Sequence, residues 1–144
     1  VVKDRQPYFE RTNDGNIVVS TSASNNWQVI QIGLSGTIVS NVSAGVRDVH
    51  LALGGRAVFQ LNSSISFTQN SNNNIQFAYW VDGAALPKST QQVNSNGTHI
   101  SLTSLVEVSA GNSIGLAVAV ASANRTVTIN SLNFNGTTIH WSEV

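Results

Sequence analysis

The chain has 144 residues, of which 41% are hydrophobic and only 10% charged, and its seven basic and seven acidic side chains cancel. That balance leaves no electrostatic footprint for nucleic acid or an anionic membrane surface. The absence of Cys excludes a disulfide scaffold, a thiolate nucleophile and a Cys-ligated zinc site. One domain is expected at this length, with solubility resting on Ser, Thr and Asn, about a third of the residues. No apolar run approaches the ~20 residues of a membrane helix, so no membrane insertion is expected. The missing Met marks the chain as an expected fragment or processed product.

The first fourteen positions hold Lys3, Asp4, Arg5, Glu10, Arg11 and Asp14, six of the fourteen charged residues, with Pro7 among them. Asn13-Asp14-Gly15-Asn16 then gives a turn signal. Residues 1–15 read as a connector from an upstream stalk or as a solvated N-terminal arm, and residues 16–144 as the head domain. No segment sustains a 3.6-residue apolar period, so no long helix is expected. Short strand candidates follow at 16–21, 27–34, 37–42 and 46–53.

From position 54 to 134 the strand pattern is continuous, with runs at 56–68, 75–81, 98–108, 113–121 and 126–134. Phe59, Leu61, Ile65 and Phe67 share one parity, with Ser63 a small gap among them. Ile75, Phe77, Tyr79 and Val81 alternate in the same way against Gln76, Ala78, Trp80 and Asp82. Ile114, Leu116, Val118 and Val120 face one side of their strand and Gly115, Ala117, Ala119 and Ala121 the other. Successive side chains of a strand point to opposite faces, so these are half-buried strands joined by Asn/Gly/Ser turns such as Val81-Asp82-Gly83. About ten strands without helical crossovers predict an all-β antiparallel sandwich or barrel. The Ala face at 117–121 suits a second surface packed closely on it, either another strand of the same domain or a neighbouring subunit. Trp80, on the face opposite Phe77 and Tyr79, raises the same question.

In their order, Arg56 to Leu61, Ile65-Ser66-Phe67, Ile75 to Val81, Asp82-Gly83 and Ser109 to Ile114 resemble a tumour-necrosis-factor/C1q-type jelly roll. Val106–Val120 is similar to that family's "v-x-a-G-D-x-I-x-L-x-V" strand, with Asn112 where Asp is commoner, and Thr126–Phe134 to its closing strand. The resemblance covers 54–134. It implies a ten-strand jelly roll assembling as a homotrimer, with Phe59, Phe77, Tyr79, Trp80, Ala117 and Ala119 as candidate interface residues. Such heads occur in animal ligands, bacterial spore filaments, and viral or phage spikes and fibres. The cysteine-free, Ser/Thr/Asn-rich composition resembles the last group, and the vertex spike of a tectivirus-type phage is the expectation drawn from it. That reading implies exposure on the virion surface, contact with other vertex or fibre proteins, and attachment to a host receptor or glycan.

No enzyme is expected. The chain has no G-x-S-x-G elbow, its glutamates Glu10, Glu107 and Glu143 are scattered, and His50, His99 and His140 lack metal-site spacing. Asp48 and His50 share a strand face and read as a surface pair. Neither a metal nor a cofactor is expected. Five N-x-S/T sequons, at Asn41, Asn62, Asn96, Asn124 and Asn135, are what this composition yields by chance. The alternative function is carbohydrate binding, because a sugar's C–H face stacks on an aromatic ring while its hydroxyls take fixed hydrogen bonds. Its candidate residues are Trp27 beside Asn26, and Trp80 close to Asp82, although a Trp serves equally well in a core or an interface. A third possibility is a purely structural cap that sets the register of a trimeric shaft.

Overall fold

The alternation read from the sequence becomes two facing sheets in the computed structural model. It describes residues 8–13, 16–21, 24–32, 38–39, 42–44, 47–51, 55–70, 73–109, 111–122 and 125–142. Positions 1–7, the Asp14-Gly15 pair, Asn41, Asn124 and Glu143 lie outside those ranges, as do parts of the expected strands at 27–34, 37–42 and 46–53.

In chain order the strands are β1 (Tyr8–Asn13), β2 (Ile17–Thr21), β3 (Gln28–Val29), β4 (Ile38–Val39), β5 (Val42–Ala44), β6 (Val49–Leu51), β7 (Arg56–Gln69), β8 (Asn74–Val81), β9 (Ala84–Ala85), β10 (Gln91–Asn94), β11 (Gly97–Ser109), β12 (Ser113–Val120) and β13 (Arg125–Ser142), with a 3₁₀ turn at Pro87–Ser89. Sheet A runs β11-β7-β13-β1-β4, with β2 also on β13; sheet B runs β10-β8-β12-β6-β5, with β3 on β12 and β9 on β8. The long strands β7, β11 and β13 belong to sheet A, while β8 and β12 lie in sheet B. Consecutive long strands therefore alternate between the sheets, which is the jelly-roll path.

The inward parities fill the space between the sheets. Phe9, Leu61, Phe67, Phe77, Tyr79, Leu116, Val118 and Phe134 are all buried. Phe9 meets Phe59 and Phe134 edge-on at centroid separations of 5.5 and 5.0 Å, and Tyr79 continues the series at 5.7 Å from Phe134. These are separations at which tilted rings attract beyond simple burial. Ser63, a gap in the apolar row of β7, makes room for the Tyr79 hydroxyl. Tyr79 Oη donates to the Leu102 carbonyl at 3.1 Å, so the Ser63 hydroxyl, 2.9 Å away, donates to Tyr79. Burial pushes the Tyr79 phenol far above its ordinary range, and the Ser63 hydrogen bond only partly opposes this.

Three expectations change. Tyr8–Asn13, assigned by sequence to a connector over 1–15, is a strand paired with both β13 and β4, and its Phe9 is fully buried. The expected strand 126–134 continues to Ser142, through an Asn135-Gly136 pair that reads as a turn. There a Cβ on Gly136 would overlap the buried ring of Phe9, its register partner; the glycine is needed for ring packing. Strands β9 and β10 were not anticipated, since Ala84–Ala85 and Gln91–Asn94 carry almost no period-two signal.

Candidate functional site

Most of the residues expected at a subunit interface belong to the core of one chain. Phe59, Phe77 and Tyr79 are at most 1% exposed without any second copy present, because they fill the gap between the sheets. Ala117 and Ala119, on the outer face of β12, are also buried. Ala117 lies opposite Ala78 on one side and Val29 on the other, and Ala119 opposite Gln76. Ala117 and Ala119 are thus covered within a single chain, whereas Ala121 is exposed. Only Trp80 keeps partial exposure. It stands opposite Gly115 on β12 and Ala85 on β9.

The ligand candidates divide. Asp82 is a hairpin residue: Asp82 and Gly83, with φ of 49° and 89°, join Val81 to its partner Ala84. A two-residue hairpin of the primed type needs positive φ at both positions, which accounts for this Asp-Gly pair without a ligand. Trp80 and Asp82 are thus held at one end of β8. Trp27 is elsewhere, and Asn26 beside it is exposed without lining a cavity.

Trp27 does line a cavity, a cleft of about 400 Å³ at the edge of the sandwich where β2 of sheet A faces β3 of sheet B. Ile17, Val18, Val19 and Ser20 form one wall, Trp27, Gln28, Val29 and Gln31 the other, and Arg47 completes it. The Trp27 wall is fixed to β12. Asn25 donates its backbone N–H to Val120 O at 2.7 Å and Ile30 to Leu116 O at 2.8 Å, with the β3 pairing between them. Arg47 is brought in by a glycine. A Cβ on Gly115 would lie 2.6 Å from the Arg47 carbonyl oxygen, closer than side chains tolerate, so only glycine lets that backbone settle on β12. Among the described residues, the side chains of Ser20, Trp27, Gln28, Gln31 and Arg47 make no hydrogen bond or ion pair. Sequence reasoning reached Trp27 but missed Gln31 and Arg47. The shared parity of Trp27, Val29 and Gln31 was a legible signal; nothing local marked Arg47, which arrives through long-range pairing.

A second, shallower hollow of about 270 Å³ sits on the outer face of sheet A, lined by Asn62, Ser63, Ser64, Ser101, Leu102, Thr103 and Asn133. Its polar groups serve one another. Gln60 Nε2 donates to Thr103 Oγ1 at 2.8 Å, Thr103 Oγ1 to Asn62 Oδ1 at 3.1 Å, and the Ser64 backbone N–H to Asn133 Oδ1 at 3.2 Å.

The remaining candidates carry little chemistry. His50 Nδ1 lies 3.9 Å from Asp48 Oδ2, with both side chains at least 40% exposed. That is too long for a hydrogen bond, and such surface pairs contribute little. Among the described residues no three His, Cys, Asp or Glu side chains converge, and no helix is long and apolar enough to cross a membrane.

No known family model matches the chain, and no curated protein matches it either. Among solved structures it is similar to Eiger TNF from S. frugiperda, with a TM-score of 0.50 and 12% identity over 92% of this chain and 94% of that one. It is also similar to the globular domain of zebrafish complement 1qA protein, with a TM-score of 0.48 and 12% identity over 94% of this chain and 98% of that one. The chain is therefore an all-β antiparallel jelly roll whose fold is similar to that of Eiger TNF. At 12% identity the likeness to Eiger extends to the fold alone.

Proposed function

We propose that this jelly roll is a non-catalytic, self-assembling head, three copies of which meet through the outer face of sheet A. One observation carries the choice of face. The large hydrophobic side chains that stay exposed, Val18 at 64%, Leu105 at 48% and Ile139 at 60%, all belong to strands of sheet A. Leu105 and Ile139 lie on the strands either side of β7, near half-buried Val58. Around them Gln60, Asn62 and Thr137 supply neutral polar groups, and exposed Glu107, opposite Val58, brings one charge to the patch. Among the described residues, sheet B carries no exposed large hydrophobic side chain. The threefold arrangement is drawn from the family resemblance of residues 54–134.

Display on a virion spike or fibre, with contacts to vertex proteins and to a host receptor or glycan, is the finer form of this reading. Its support is the charge-poor Ser/Thr/Asn composition. Light scattering on the purified chain tests the assembly. The expected mass is about three times 15.3 kDa, and Leu105→Glu with Ile139→Glu is expected to yield a folded monomer. A native monomer at micromolar concentration refutes the assembly, and a double variant that stays trimeric refutes the chosen face.

A further inference from the structure

The cleft between β2 and β3 gathers several hydrogen-bonding side chains that no neighbour among the described residues engages. Trp27, Gln28, Gln31, Ser20 and Arg47 converge on about 400 Å³, within the size range of small-ligand sites. Among the described residues none of these side chains has a partner, although Thr103, Asn62 and Gln60 on sheet A satisfy one another. The wall bearing Trp27 is held by backbone bonds to β12 on both sides of β3. The indole is thus presented on a rigid element, which lowers the ordering cost of binding.

The chemistry of the lining selects a ligand class. An indole beside Val29 offers a flat apolar surface for a ring's C–H face. Two primary amides and a hydroxyl donate and accept at short range, as an array of hydroxyl groups requires. Arg47 adds a planar cation whose two N–H groups match a carboxylate. Among the described residues no carboxylate lines the cleft to compensate it. We propose that this cleft binds a carboxylated sugar, with the pyranose ring on Trp27, its carboxylate on Arg47 and its hydroxyls on Gln28, Gln31 and Ser20. All these residues come from one chain, so the site does not depend on assembly.

Titration of the 144-residue chain by calorimetry, with the Trp indole N–H signals followed by NMR, tests this. The probes are trigalacturonate, 3′-sialyllactose and neutral maltotriose. At least one acidic sugar is expected to bind saturably and about tenfold tighter than maltotriose, the margin of one charge-assisted contact. Arg47→Gln should reduce the acidic sugar to the neutral level, and Trp27→Ala should remove both; Trp80→Ala should change neither. Circular dichroism melts establish that each variant is folded. Failure of both acidic sugars to bind the folded native chain overturns the proposal. So does acid preference that survives Arg47→Gln, or binding abolished by Trp80→Ala but retained in Trp27→Ala.

Discussion

The hollow on sheet A and the cleft at the sheet edge are both concave, and both present uncharged polar side chains, yet they treat those groups in opposite ways. On sheet A, three long strands hold Gln60, Asn62, Thr103 and Asn133 in fixed cross-strand register, and amide meets hydroxyl at hydrogen-bond distance. Beneath them Ser63 and Leu102 continue into the core through the Tyr79 hydroxyl. At the edge, β3 is two residues long and, among the described residues, no strand lies beyond it in sheet B. Its outward side chains therefore have no neighbours in register. Regular pairing thus turns polar residues inward on one another, while an interrupted edge leaves them available. The first arrangement stabilises the fold and the second can recognise something else.

The sharpest way to break this contrast is at Gly115. Replacement by Ala places a methyl against the Arg47 backbone, and overpacking of this kind costs about 1–3 kcal/mol. The expected outcome in urea unfolding is a loss near the upper end of that range. The Arg47 side of the cleft should shift while the sheet A hollow, on the other sheet, keeps its NMR shifts. If both concavities respond alike, the two are coupled and the contrast fails.

Tyr79→Phe probes the deep side of the hollow. It leaves the buried Leu102 carbonyl and the Ser63 hydroxyl without their partner, at an expected cost of about 1–2 kcal/mol near neutral pH. The pH dependence runs in a definite direction. The folded state holds the phenolic proton more tightly than the unfolded chain does. The native protein's stability is therefore intact below the ordinary phenol value of about 10. It falls as pH rises through that value, by about 1.4 kcal/mol per unit from this group. The Phe variant lacks this loss, so its deficit relative to the native chain should shrink in unfolding experiments between pH 9 and 11. A deficit independent of pH would show that Tyr79 does not titrate differently in the two states.

The same contrast explains what could be read from the sequence. Strands β7, β8, β11 and β12 are eight residues or longer, and their alternation is set by burial on one face, so parity alone located them. Strands β3, β4 and β5 have two or three residues and carry no period to detect. In β1, Glu10 and Arg11 resemble a solvated arm, but Arg11 is 6% exposed on the same parity as Phe9, a burial that only the pairing with β13 makes intelligible. Of the expected Ala face, Ala117 and Ala119 are buried within the chain while Ala121, just past the end of β12, is exposed, and the flanking Ala78 and Val29 come from distant positions. Likewise Trp27 stood out by its chemistry, whereas Arg47 acquires its place only through Gly115.

The smallest expected effects decide whether polar side chains at the two concavities really differ in kind. Thr103→Val removes both the donor to Asn62 and the acceptor for Gln60 while keeping a β-branched shape, and should cost about 1 kcal/mol. Gln31→Ala and Ser20→Ala, at positions where no internal hydrogen bond is lost, should stay within about 0.5 kcal/mol of the native chain. Unfolding midpoints measured in urea at constant slope give all three values on one scale. A Thr103→Val cost no larger than those of the cleft variants would mean that the sheet A network contributes no more than exposed side chains do. Cleft variants that destabilise by more than 1 kcal/mol would show that Gln31 and Ser20 serve the fold, and would remove the reason to regard them as free for a ligand.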